Sequence, residues 1–194
     1  MKLLWYATRK FYADRLLTIQ PETDQLYLYA INDSDAEWTA EVRLARLSAF
    51  TESQPISRDI RLSAKPRSVQ RIALELAVKR DDTKDNCLLA QCGSDRAFWF
   101  FDIDKNLNYP APQYDSAVSR VGAKYKVTIT ARTLLRDLCL FADRLDPSAV
   151  VNEQLITLLP GESFTFEFNS KRELPAQALT TTPVLQCANR FGKK

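Results

Sequence analysis

From Gln25 to Ile31 aliphatic side chains alternate with a second set, and from Trp38 to Leu47 apolar side chains alternate with polar ones; that two-residue period limits what the chain can become. In an extended strand successive Cβ atoms point to opposite faces, so alternation places one apolar face against a core and one polar face in water. Leu26, Leu28 and Ala30 oppose Tyr27, Tyr29 and Ile31, and Trp38, Ala40, Val42 and Leu44 oppose Thr39, Glu41 and Arg43. Between the two runs, Asn32-Asp33-Ser34-Asp35 supplies short polar side chains that bond to their own backbone, which is the chemistry of a turn. Trp38 begins an alternating strand and reads as core.

Leu16–Ile19, a strand ending at Pro21, precedes this pair, and Ile56–Leu62, Ser68–Leu76, Cys87–Cys92 and Arg96–Asp102 continue the pattern. Lys79–Asn86, almost wholly polar, reads as a solvated loop. Short strands separated by turn signals, with no long helix among them, predict an immunoglobulin-like β-sandwich. Pro110 and Pro112 then hold the chain extended and remove ladder donors, which marks a domain boundary. Beyond it the pattern restarts at Tyr114–Val121, Tyr125–Ala131, Leu135–Ala142, Val150–Leu158 and Ser163–Phe168, where Phe164, Phe166 and Phe168 share a face. Arg132–Leu145 also suits a helix, but its β neighbours favour a strand. Leu174–Thr182 reads as a loop with one helical turn and Val184–Ala188 as a last strand. The expected architecture is all-β, with two tandem immunoglobulin-like β-sandwich domains spanning 1–109 and 110–194.

The first residues do not fit that pattern. Leu3, Leu4, Ala7 and Phe11 recur at helical spacing without an N-cap, so 3–11 reads as a helix remnant of preceding sequence. So short a helix cannot nucleate in water and needs a surface to pack on.

Composition then removes chemistry. The chain contains no histidine, which excludes Ser-His-Asp and Cys-His nucleophiles and every histidine-containing metal site. Cys87, Cys92, Cys139 and Cys187 lack the two-residue spacing of zinc or redox motifs and read as buried reduced thiols, although a Cys139–Cys187 contact stays open. Cys87 and Cys92, five apart, would point to opposite faces of one strand. A net charge of +3 with interspersed signs argues against a nucleic-acid partner. No run reaches the ~20 apolar residues of a membrane span, and no secretion signal is present. A cytoplasmic location is the resulting expectation.

Asp102-x-Asp104-x-Asn106 starts like a calcium loop, but Leu107 stands where glycine is needed and Gln113 where the bidentate carboxylate belongs. Asn32-Asp33-Ser34 matches a glycosylation acceptor and is read as the turn instead. Glu162, after Pro160-Gly161, is the most suggestive acid, and it too reads as a turn residue. No pair of carboxylates stands out as the acid and base that glycoside hydrolysis requires. No catalytic, cofactor-binding or metal-binding residue is therefore assigned.

Phe98-Trp99-Phe100-Phe101 carries large rings on both faces of one strand. It is either a sugar-stacking platform or a surface covered by a neighbouring domain, and the second is favoured because sugar platforms use spaced aromatics. Trp5, Phe11, Phe98, Trp99, Phe100 and Phe101 together form the expected interdomain surface.

Several strings carry a family resemblance. Trp5-Tyr6-Ala7-x-Arg9-Lys10, followed by Arg15-Leu16-Leu17-Thr18-Ile19-Gln20-Pro21, resembles the segment leaving the catalytic barrel of bacterial family-2 glycoside hydrolases of the β-mannosidase type. Asn32-Asp33-Ser34-Asp35-x-x-Trp38 and Arg96-Ala97-Phe98-Trp99-Phe100-Phe101 resemble parts of the sandwich that follows. Val127–Leu134 and Leu158-Leu159-Pro160-Gly161-Glu162 resemble the terminal sandwich, and the set spans nearly the whole chain. The resemblance implies a non-catalytic C-terminal accessory region whose parent enzyme releases terminal β-D-mannose with retention. The implied partner is the catalytic barrel of the same polypeptide, with a homo-oligomeric contact as a further expectation. No position matches the family's catalytic glutamates, so the chain alone is expected to be inactive. The alternative is a carbohydrate-binding module for mannan or manno-oligosaccharides, which saturable micromolar sugar binding would favour. A pair of adhesion domains is a remoter third reading.

Overall fold

The computed structural model describes residues 2–23, 25–48, 50–74 and 84–191. They form antiparallel sheets with few helices, an all-β sandwich fold. The chain divides into two compact units, Thr8–Ile103 and Asp104–Lys194, and Met1–Ala7 clusters with the second. The Pro110/Pro112 pair thus lies a few residues inside the second unit. Leu107 is fully buried there, and the Asn189 side-chain amide donates to the Pro110 carbonyl at 3.2 Å.

In the first unit, β1 (Arg15–Glu22), β2 (Gln25–Asn32) and β5 (Ser68–Ala73) form one sheet in the order β1-β2-β5. The second sheet has the order β4-β3-β6-β7, from β3 (Trp38–Ser48), β4 (Thr51–Ala64), β6 (Asn86–Cys92) and β7 (Asp95–Phe100). The core follows the alternation read from sequence. Leu17, Ile19, Leu28 and Ala30 from the first sheet meet Trp38, Val42, Leu44, Leu62, Leu88 and Ala90 from the second. Burying each of the leucines contributes about 2 kcal/mol.

The first strand does not stop at Pro21 but continues through it to Glu22, with Pro21 opposite Leu26. Strand β1 is the edge of its sheet, so the missing proline N–H costs no ladder bond. Strand β4 is longer than Ile56–Leu62 at both ends, and β7 ends at Phe100. Of Lys79–Asn86, residues 79–83 fall outside the described residues, as does the end of Ser68–Leu76 beyond Leu74; Lys84 and Asp85 form a turn. The β6–β7 hairpin turns on Gly93, whose φ of 58° a side chain would strain.

The second unit places β8 (Tyr114–Val121), β9 (Lys124–Ala131) and β12 (Ser163–Asn169) in the order β12-β9-β8. A smaller sheet has the order β11-β10-β13, from β10 (Leu135–Leu140), β11 (Ile156–Leu158) and β13 (Leu185–Gln186). Tyr125, Val127, Ile129 and Ala131 of β9 and Phe166 and Phe168 of β12 fill its core. Tyr125 and Phe168 stack at 5.1 Å.

Three strand readings need correction here. Arg132–Leu145 is a strand only over β10, and a 3-10 turn follows at Ala142–Arg144. Val184–Ala188 contracts to β13 and runs into a 3-10 turn. Val150–Leu158 contracts to β11, because Leu155 takes a φ of 59°, outside the strand region, and because of one buried side chain before it. Gln154 is 4% exposed and accepts from the Leu140 N–H at 2.8 Å while donating to the Leu140 carbonyl at 2.7 Å. Its amide takes the place a neighbouring strand's backbone would have filled. Helix α1 (Leu3–Phe11) and the helical turn α2 (Ala176–Leu179) stand where the sequence puts them.

Candidate functional site

Strand β7 separates the aromatic block by parity. Trp99 and Phe101 pack on the sandwich core, whereas Phe98 and Phe100 lie on the opposite face, stacked at 6.0 Å. The Arg96 guanidinium lies 5.0 Å from the Phe98 ring, and Phe50 lies 6.0 Å from Phe100. Neither Phe98 nor Phe100 is exposed. The neighbouring positions on that face, Ala45, Leu47, Cys87 and Leu89, are all buried. Strand β6 is therefore buried on both faces at this end, whereas Phe98 and Phe100 of β7 are half-buried. The continuous apolar run Cys87-Leu88-Leu89-Ala90 was the sequence signal for it.

Helix α1 presents its residues unequally. Tyr6 is 2% exposed, while Trp5 is 45% and Phe11 67% exposed. Trp5 meets Tyr6 edge-on at 4.9 Å, and the Tyr6 hydroxyl donates to the Val151 carbonyl at 2.7 Å.

The acids singled out from sequence are engaged in local structure. The Glu162 carboxylate accepts from the Leu159 N–H at 2.8 Å, closing the turn in which Gly161 has a φ of 88°. Asp102 accepts from the Ile103 N–H. Asp104 sits in a 3-10 turn and accepts from the Tyr109 hydroxyl at 2.6 Å. Among the described residues no group of three His, Cys, Asp or Glu side chains is placed to hold a metal.

Asn32 is fully buried. Its amide donates to the carbonyls of Ala36, Ala64 and Lys65 at 2.9–3.0 Å and accepts from the Ser34 N–H and hydroxyl. An amide so engaged organises the turn and is closed to glycosylation.

Two polar clusters were not legible in the sequence. Around Arg136, the guanidinium lies 3.2 Å from Asp137 and 3.8 Å from Asp104. Burial, then the Asp104 hydrogen bond, pushes the Tyr109 phenol far above its usual range, so it stays protonated. Asp146, 4% exposed, accepts from Ser170 Oγ at 2.5 Å and from Ser148 at 2.7 and 3.0 Å. These bonds hold its carboxyl down at about 2. It lines an open depression of about 650 Å³ with Ser148, Ser170 and Arg172, but its oxygens are committed to the serines. A second, apolar pocket of about 340 Å³ is lined by Leu3, Phe141 and Leu155 and by both Cys139 and Cys187. Among the described residues the four cysteines form no disulfide, and burial raises Cys187 above its ordinary value, which makes it a poor nucleophile.

No protein-family model matches the chain, and no curated protein matches it in sequence. Its fold is similar to part of the exo-chitosanase CsxA of Amycolatopsis orientalis, with a TM-score of 0.52 and 12% identity over 86% of this chain. The same enzyme in complex with PNP-β-D-glucosamine gives the same values. The chain spans 24% of the length of those structures.

Proposed function

We propose that this chain is a non-catalytic accessory β-sandwich region of a family-2-type glycoside hydrolase. The supporting observation is agreement between two independent likenesses. The ordered strings from Trp5 to Glu162 resemble the region after such a barrel, and the fold is similar to a quarter-length portion of an exo-chitosanase. The strand order β1-β2-β5 over β4-β3-β6-β7 supports an immunoglobulin-like description of the first unit. In constant-type domains the fourth strand pairs in the first sheet, whereas here β4 pairs with β3.

Within this reading the accessory region packs against the catalytic barrel of the same polypeptide or supports a subunit contact. The aromatic residues Trp5, Phe11, Phe98 and Phe100 are the candidates for such packing. The finer assignment, a parent enzyme releasing terminal β-D-mannose, rests on the sequence resemblance. The test is the coding sequence upstream of Met1. A (β/α)₈ pattern with an Asn-Glu pair at a strand end supports the proposal, and an unrelated or absent upstream domain overturns it.

A further inference from the structure

The outer face of the β1-β2-β5 sheet carries a cluster that the proposed function does not use. Because Leu28 and Ala30 point into the core, Tyr27 and Tyr29 point outward. The register sets Tyr27 between Gln20 and Ala73, and Tyr29 between Thr18 and Arg71. The two rings lie 6.5 Å apart. Arg71 pairs with Glu22 at 2.7 Å, and its guanidinium lies 4.7 Å from the Tyr27 ring. The other Glu22 oxygen accepts from the Tyr29 hydroxyl. Glu22 and Arg71 nonetheless remain 40% and 54% exposed.

We propose that this face binds a neutral oligosaccharide, with Tyr27 and Tyr29 as the stacking surface and the Arg71–Glu22 pair bonding adjacent hydroxyls. Pyranose rings present C–H faces that pack on aromatic rings and hydroxyls that need planar donors and acceptors. Arg71 is such a donor fork and Glu22 such an acceptor. Each is fixed before binding, Glu22 by two donors and Arg71 by Glu22 and the Tyr27 ring, which lowers the ordering cost. Charge complementarity selects the occupant. The guanidinium and carboxylate neutralise each other, so the face offers no net attraction to phosphate or an acidic polymer. The surface is open and lacks walls, so the expected dissociation constant is about 1 mM, weaker than a dedicated binding module. The location stands on the geometry above, whereas the choice of a β-linked mannose oligomer as first probe rests on the proposed function.

The test is an amide chemical-shift titration of the 194-residue chain with mannotetraose, cellotetraose and inorganic phosphate. Saturable shifts confined to β1, β2 and β5, weakened about tenfold by Tyr27→Ala and by Arg71→Ala but retained in Tyr27→Phe, support the inference. Unchanged Trp38 and Trp99 fluorescence shows that the variants are folded. Binding of cellotetraose alone at these strands also supports it, while counting against the mannose assignment. Silence with both sugars, shifts elsewhere, binding indifferent to Tyr27→Ala, or a preference for phosphate overturns it. Such a failure leaves the upstream-sequence test untouched.

Discussion

The Tyr6 hydroxyl donates to the Val151 carbonyl at 2.7 Å although 145 positions separate them in the chain. A helix too short to form alone is thereby tied into the unit built from the far end of the sequence. Tyr6→Phe leaves a buried carbonyl without its donor and should destabilise that unit by about 1 kcal/mol. Tyr6→Ala adds a cavity and should cost about 3–5 kcal/mol. Urea titration followed by hydrogen exchange at β9 and β12 amides measures both. Equal stability of Tyr6→Phe and wild type would contradict the docking role.

Asn32 is required as an amide. Asn32→Ala should destabilise the first unit by about 3 kcal/mol, because buried carbonyls lose their donor. Asn32→Asp has nearly the same shape but cannot donate to Ala36 and Ala64, so it should be no better. Denaturant unfolding monitored by Trp38 fluorescence distinguishes the two. A near-wild-type Asp variant would show that shape alone suffices.

Gln154 substitutes for a strand by accepting from and donating to Leu140. Gln154→Glu keeps the acceptor and loses the donor, so it should destabilise the second unit by about 2 kcal/mol at neutral pH. Protonation restores a donor, so part of the loss should return below about pH 5. Thermal melts of the variant and wild type across pH 4–7 read this directly. A pH-independent difference would refute it.

Asp146 has a folded-state pKa of about 2, below its unfolded value of about 3.9. Its contribution is therefore complete above pH 4 and is lost as pH falls through the folded value. Asp146→Asn should melt lower than wild type at pH 5–7, and the gap should close between about pH 4 and 2. A gap constant over that range would mean that its bonds to Ser148 and Ser170 do not depend on ionisation.

What was legible in the sequence follows from which faces are buried. Strands β2, β3, β9 and β12 each bury one face over most of their length, so period two is written into their residues. Strand β6 is buried on both faces, and its unbroken apolar run names no side. Pro21 continues a strand because β1 is an edge, a property of topology that no local signal carries. Gln154 ends a strand reading by bonding across the chain, and Tyr6 finds Val151 across almost its whole length. The alternation also sets Tyr27 and Tyr29 on the face opposite Leu28 and Ala30, and burial shows which face is outer. Only the register brings Arg71 beside them and closes the pair with Glu22.

The central claim is that these residues support catalysis carried elsewhere. Its most direct test is the hydrolysis of p-nitrophenyl β-D-mannoside and β-D-glucosaminide by the 194-residue chain and by a longer polypeptide that includes the preceding coding sequence. The account predicts turnover by the longer polypeptide alone, with the shorter chain at the rate of buffer. Turnover by the shorter chain that survives removal of contaminating glycosidases would contradict it.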